Sequence, residues 1–374
     1  MGCLLHCETL VVRVGVRASC DMHSGRGIVN ALAAAVLFGA STPLAKTLVG
    51  EIPPVLLAGL FYIGSGIGLS IVILLRRLVG TRTSGPGGMA WPRGQDVGWF
   101  ALAILFGGVI GPVLLMLGLV STPASVSSLL LNLESVFTAC LAWFAFRENF
   151  DRRIAGGMAL IVAGGFVLAW APGMLALSSG TLLIGGACLC WAIDNNLTRK
   201  VSTSDAMLIA CIKGLIAGVV NIAIAIFIGA PIPPMTVTAE AALVGLAGYG
   251  ISLTLFVLAL RDLGTARTSA YFSIAPFVGA GLAIALSGDA VTWQLVCAGV
   301  LMAAGVWLHL TERHVHLHAH EYQQHVHAHY HDEHHRHDHD FAWDGREPHA
   351  HVHVHEPVLH AHPHYPDVHH RHRH

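Results

Sequence analysis

Charge is what this sequence has least of. Asp, Glu, Lys and Arg make up 11% of its 374 residues, against 54% hydrophobic residues, and the mean hydropathy is +0.62. Soluble domains carry roughly 25% charged residues, so the composition excludes an ordinary soluble protein and points to a polytopic membrane protein. The formal net charge of −1 averages a basic-edged membrane body with a histidine-rich tail and so says nothing about nucleic-acid or acidic partners; no nucleic-acid partner is expected. A nucleotide-binding run of the Gly-x4-Gly-Lys-Ser/Thr kind is missing, which argues against ATP coupling within the chain. His-Glu-x-x-His and Gly-x-Ser-x-Gly are missing too, so the chain is not read as an enzyme and needs no cofactor. Its 8 cysteines are scattered, five of them within apolar runs, and imply no disulfide framework. Residues 1–26 lack an apolar core long enough for a secretory signal and are expected to form a cytoplasmic extension.

Long apolar runs dominate what is present. They fall at roughly 27–48, 54–75, 97–119, 124–146, 153–170, 178–198, 205–228, 239–260, 268–287 and 292–310. A run of about 20 apolar residues spans a bilayer as a helix, so ten transmembrane helices are expected. Lys and Arg cluster after alternate spans: Arg76, Arg77, Arg82 and Arg93; Arg147, Arg152 and Arg153; Arg199 and Lys200; Arg261 and Arg267. The intervening loops hold neither, which places both termini in the cytoplasm of a bacterial-type inner membrane.

The stretch Ala124–Leu168 returns at Ala266–Leu308. Ala124 falls on Ala266, Glu134 on Pro276, Phe137 on Gly279 and, after a slip of one residue, Glu148 on Asp289. Phe38 to Lys46 likewise lies over Trp191 to Arg199, and Gly108 over Gly250. Each half holds five spans, an odd number, so the second half must be inverted relative to the first, as in inverted-repeat transporters.

With its tandem five-helix repeat, the Glu148-x-Phe-Asp-x-Arg turn and its Asp289-x-Val-Thr-x-Gln echo, and the Gly-Ala-Ser-Thr-Pro segment of span 1, the sequence resembles the drug/metabolite transporter superfamily with two EamA-type halves. The likeness covers about residues 27–310 and divides the chain into an extension (1–26), two repeats (27–170 and 178–310) and a tail (311–374). The resemblance implies an all-α fold and a secondary transporter that exports a small organic metabolite or drug-like solute by alternating access. Substrates from amino acids to nucleotide sugars and amines fit it equally. One departure is Glu134, which stands where many members carry the proline that the second half keeps as Pro276. Expected partners are the small-molecule substrate, the lipid bilayer and a second copy of the chain in a homodimer.

Polar groups inside the spans are the candidate transport residues. Glu134 lies about ten residues, or roughly 15 Å, into span 4, near the bilayer midplane, where carboxylates are costly and usually functional. Desolvation there favours exchange of a proton. The competing reading is a neutral carboxyl hydrogen-bonded to Asn132 or to a neighbouring helix. Asp194 and Lys213 lie at matching depths, as expected of a structural ion pair, or else Lys213 faces the cavity and binds an anion. Ser41-Thr42-Pro43 and Asp194-Asn195-Asn196 occupy equivalent places in the two halves, the pattern that points to a transporter's binding site. Pro43 frees a carbonyl one turn earlier. Lys46, Tyr249 and Tyr271 complete the set, although aromatic residues in spans more often serve packing.

All but three of the 26 histidines (His6, His23 and His309) lie in the tail. His314, His316, His318 and His320, then His325, His327 and His329, then His349, His351, His353 and His355 alternate along the chain, a spacing that lines imidazoles on one face for a divalent transition metal. Few large apolar residues and several prolines predict disorder there. The tail opens two alternatives to the leading reading: a carrier of zinc, nickel or cobalt, and a membrane sensor of metal or pH.

Overall fold

The computed structural model describes residues 5–78, 95–146, 152–170, 178–201, 206–263, 268, 271–310, 315–319, 323–329, 349–355 and 359–363. The chain divides into two units, residues 1–75 with 91–312, and residues 76–90 with 313–374.

Among the described residues of the larger unit the regular structure is helical. It runs α1 (Leu5–Val49), α2 (Pro54–Leu78), α3 (Gln95–Ala103), a π-helical segment π1 (Ile104–Ile110), α4 (Gly111–Ser121), α5 (Ala124–Leu130), α6 (Leu133–Phe146), α7 (Arg152–Ala169) and α8 (Ser179–Val201). It continues with α9 (Ala206–Phe227), α10 (Met235–Gly245), a second π segment π2 (Leu246–Ile251), α11 (Ser252–Leu263), α12 (Ala275–Ser287) and α13 (Trp293–Leu310). Among the described residues six helices are long and apolar enough to cross a membrane: Arg26–Val49, Pro54–Leu78, Val97–Ser121, Ala124–Leu141, Met207–Phe227 and Met235–Ala259. Three more apolar helices, Ala155–Ala169, Ala275–Ser287 and Trp293–Leu308, are shorter. The 23-residue α8 is not among the six, because Asp194, Asn195, Asn196, Arg199 and Lys200 lower its hydropathy. The expected boundary at residue 26 is no break in the backbone, since α1 runs on as one helix from Leu5.

Four spans depart from a regular helix, and they do so in pairs. π1 and π2 begin at Ile104 and Leu246, equivalent positions in the repeat, so spans 3 and 8 share the same distortion. Spans 4 and 9 break at equivalent places. In the first, the amides of Asn132 and Ser135 bond the carbonyls three residues back, Leu129 O (3.1 Å) and Asn132 O (3.2 Å). In the second, Ile274 and Phe277 do the same to Tyr271 O (3.3 Å) and Ile274 O (3.0 Å). Tightening to three-residue bonds closes a helix end without leaving carbonyls bare, which lipid forbids.

The main core lies among α1, α2, α4, α5 and α8, where Leu57, Phe61, Met116, Leu119 and Ile184 are fully buried. A second core around Ile161, Leu295 and Met302 joins α7 to α13. Both are built from large side chains set against small ones, as close helix packing in a bilayer requires.

In the smaller unit the described residues of the histidine-rich tail form short strands. Strand β1 (Val315–Ala319) pairs antiparallel with β4 (Leu359–Pro363), and β2 (Gln323–His329) with β3 (His349–His355). The alternation of histidine with a small or β-branched residue has period two, which suits a strand. The register sets His325 opposite His353, His327 opposite His351 and His329 opposite His349.

Candidate functional site

Three polar groups from different spans meet in the larger unit. The break at Leu131–Asn132 starts α6 at Leu133, which puts Glu134 in the first turn, beside backbone N–H groups that suit a carboxylate. From α8, Asn195 Nδ2 donates to Glu134 Oε1 at 2.7 Å. One residue earlier on α8, Asp194 accepts from Lys213 Nζ of α9 through Oδ2 and from Thr198 Oγ1 at 3.0 Å through Oδ1. Asp194 and Lys213 are buried, and they neutralise each other. Glu134 is half-buried, has no cationic partner among the described residues and lies within electrostatic reach of both. The region therefore carries one carboxyl group that ionisation would leave unbalanced.

The π segments explain why Asp194 fits. A π turn frees carbonyls from the helical ladder, and here Gly107 O accepts from Tyr62 Oη (2.6 Å) and Trp191 Nε1 (3.1 Å), while Gly108 O accepts from Asn221 Nδ2 (3.1 Å). Asp194 packs straight onto Gly107, where any Cβ would collide with its carboxylate. The other half repeats the arrangement with milder chemistry. Position 249, equivalent to Gly107, is a tyrosine, and Ser41, the equivalent of Asp194, packs against the neighbouring Gly248. Pro276 and Thr42 stand where the first pair has Glu134 and Asn195. Two pseudo-equivalent places thus exist, and only one holds the ionisable groups.

Rings from both halves pack beside them. Phe38 meets Trp191 (centroids 6.2 Å apart), Tyr249 (5.9 Å) and Phe272 (5.5 Å), and Tyr249 also meets Phe61 and Tyr62. Cys188, Ala192 and Asn195 share a face of α8; the first two are fully buried, whereas Asn195 is exposed.

Other candidates from the sequence sit elsewhere. Asn132 does not reach Glu134: its amide donates to Leu129 O (3.1 Å) and touches Met302 Sδ (3.7 Å), closing the helix break. Lys46 caps α4, donating to Leu119 O (2.5 Å) and Val120 O (3.3 Å). Ser41 Oγ turns back to Phe38 O (2.6 Å), and Gly39 O, the carbonyl freed by Pro43, faces Gly279 across a close helix crossing. Asn196 bonds Ala192 O (2.8 Å) on its own helix and Thr138 O (3.4 Å). Tyr271 is half-buried at the second break. Among the described residues no group of three His, Cys, Asp or Glu could hold a metal, and His314 and His320 lie outside the described residues. Tyr62 and Asn221 were missed by the sequence reading; Gly108, recurring as Gly250, was the signal for the freed carbonyls they reach.

The paired helix breaks and π segments reflect two copies of one unit, and both copies match a known family. Residues 25–170 and 178–311 each match the EamA-like transporter family. The chain belongs to that family. Among curated EamA-type relatives, an uncharacterized transporter of Methanothermobacter thermautotrophicus is 26% identical over 75% of this chain and 85% of its own length. A probable amino-acid metabolite efflux pump of Salmonella typhimurium is 25% identical over 75% and 93% respectively. A probable terminal-alkyne amino-acid exporter of Streptantibioticus cattleyicolor is 26% identical over 60% and 77%. A solved crystal structure at 18% identity matches 78% of this chain and 98% of its own with a TM-score of 0.57, a likeness of fold. The protein is thus a multi-pass membrane transporter of the drug/metabolite type.

Proposed function

We propose that this EamA-family protein is a secondary active exporter of a small organic metabolite, working by alternating access through ten spans in two inverted five-helix repeats, with Glu134 as the proton-linked group. The observation that carries the reading is Glu134 itself: a half-accessible carboxyl at a helix break, held by neutral Asn195 beside the self-neutralised Asp194–Lys213 pair. A single unbalanced carboxyl inside a membrane body is suited to exchange a proton for a bound solute. The names of the Salmonella and Streptantibioticus relatives support export and favour an amino-acid-like solute. The alternation of Arg-rich loops with loops free of Lys and Arg supports inversion, cytoplasmic termini and an inner-membrane location. The rings around Phe38 provide an apolar wall for the solute's body.

The test is solute flux in reconstituted vesicles with an imposed proton gradient. Gradient-driven accumulation that needs Glu134 supports the reading; accumulation by the Glu134→Gln chain equal to wild type at every pH rejects Glu134 as the coupling group. The carrier of zinc, nickel or cobalt finds no support among the described residues. We assign metal binding, as an accessory, to the tail alone, on the alternating histidine spacing of its sequence.

A further inference from the structure

Between α9 and α10 the chain turns through Ile-Gly-Ala-Pro-Ile-Pro-Pro, residues 228–234, without one charged or polar side chain. The other described loops free of Lys and Arg each hold such a group: Glu51 after α1, Thr122 after α4, and Asp289 with Thr292 after α12. Here large apolar side chains point outward instead. Phe227 is 91% exposed, Ile232 83%, Met235 80% and Ile228 61%. Apolar side chains gathered on a surface in this way mark a place that meets something other than water.

The backbone of the loop has the same character. α9 ends in a Schellman motif: Gly229, at φ 77°, donates to Ile226 O at 3.0 Å and Ala230 to Ala225 O at 2.9 Å, while Ile228 N bonds Ile224 O at 3.0 Å. Pro231, Pro233 and Pro234 have no N–H, and Pro234 O accepts from Thr238 N at 3.0 Å. That leaves Ile232 as the one residue of the loop whose N–H has no bond among the described residues. Water would bond any free donor, so an aqueous loop has no need to remove them; where water is scarce each unbonded N–H is costly. Side chains and backbone thus point to the same surroundings.

The place of the loop fits a bilayer edge. α9 has 22 residues, which at 1.5 Å each reach about 33 Å and cross a hydrocarbon core of about 30 Å. The loop begins where that core ends. Exposed Val219 and Ile226 lead up to it along α9, so its surface continues the apolar flank of the span. Glu240 is exposed on the second turn of α10, and helical side chains lean toward the N-terminus, so its carboxylate is directed back toward the level of the loop. Headgroups and water begin at that level.

We propose that residues 227–235 are an interfacial anchor: Phe227, Ile228, Ile232 and Met235 insert at the boundary between lipid headgroups and acyl chains and fix the depth of this end of spans 7 and 8. The occupant of the surface is lipid, and neither water nor a second copy of the chain. The inference goes beyond the transport reading and needs neither Glu134 nor export.

Met235 is a native reporter for this contact. In the full chain in lipid nanodiscs, with carbon-13 in the methionine methyl groups, its signal is the one lost in Met235→Leu, and the fully buried Met116 and Met302 serve as references. Its relaxation is compared with a nitroxide near the headgroup end of a lipid chain, with one at the terminal methyl, and with a water-soluble gadolinium chelate. Met235 is expected to relax about threefold faster with the first than with the second, because about 15 Å, half the hydrocarbon core, separates the two nitroxides. The gadolinium effect is expected to be the smaller still. Strongest relaxation by gadolinium puts the loop in water, and strongest relaxation by the deep nitroxide puts it in the core; either overturns the proposal. Relaxation as weak as that of Met116 with all three agents means that protein, a second copy included, covers the loop, and overturns it too. Ile228→Ser with Ile232→Ser is expected to move Met235 toward the gadolinium response, and an unchanged response would show that these side chains do not hold the loop at the lipid.

Discussion

Asn195 of α8 and Glu134 of α6 share a hydrogen bond of 2.7 Å that joins the two repeats, while the residue next to Asn195, Asp194, is engaged with Lys213 of α9. Adjacent positions on one helix thus serve two different carboxylates: one group is neutralised by a cation and the other is held only by an amide. The predictions below follow from that division.

Glutamine keeps the volume and hydrogen bonding of Glu134 but cannot ionise. Glu134→Gln is expected to abolish proton-driven accumulation in vesicles while retaining the fold and solute exchange down a gradient. Equal accumulation by the two chains from pH 5 to 8 would show a carboxyl that serves only as a hydrogen-bonding group.

Breaking a buried ion pair from one side strands a charge, which costs about 3–5 kcal/mol. Asp194→Asn and Lys213→Met are each expected to lower the unfolding temperature of the purified protein sharply, with Asp194→Asn/Lys213→Met together recovering most of the loss. If the double variant is as unstable as the sum of the single ones, the pair is not the reason for the destabilisation.

Reporter fusions after Arg313 and within residues 172–177 are expected to report opposite sides of the membrane, the first cytoplasmic. This expectation rests on the Arg and Lys pattern of the loops. Fusions that report the same side would refute the inverted repeat.

Deleting residues 314–374 is expected to leave solute flux intact and to change the response to added zinc or nickel, or to acidification. Among its described residues the tail supplies no span, and it falls in the smaller unit. Loss of basal flux or of membrane insertion in the truncated chain would contradict it.

The sequence by itself determined the membrane character, the places of the apolar helices and the two-fold repetition, because these depend on run length and on self-similarity along one dimension. It also marked Glu134, Asp194 and Lys213, since an ionisable residue in an apolar run stands out whatever surrounds it. Only the tertiary structure decided who meets whom. Sequence position sets depth along a helix, but rotation about the helix axis and the choice of neighbour come from packing. Hence Asn132, two residues from Glu134, spends its amide on the helix break, while Asn195, 61 residues away, holds the carboxylate. Lys46 likewise has the look of a buried cation in the sequence and in the fold caps the end of α4. The π segments were hidden for the same reason: they arise where Gly107 and Gly108 let Tyr62, Trp191 and Asn221 reach freed carbonyls, and those donors come from three other helices.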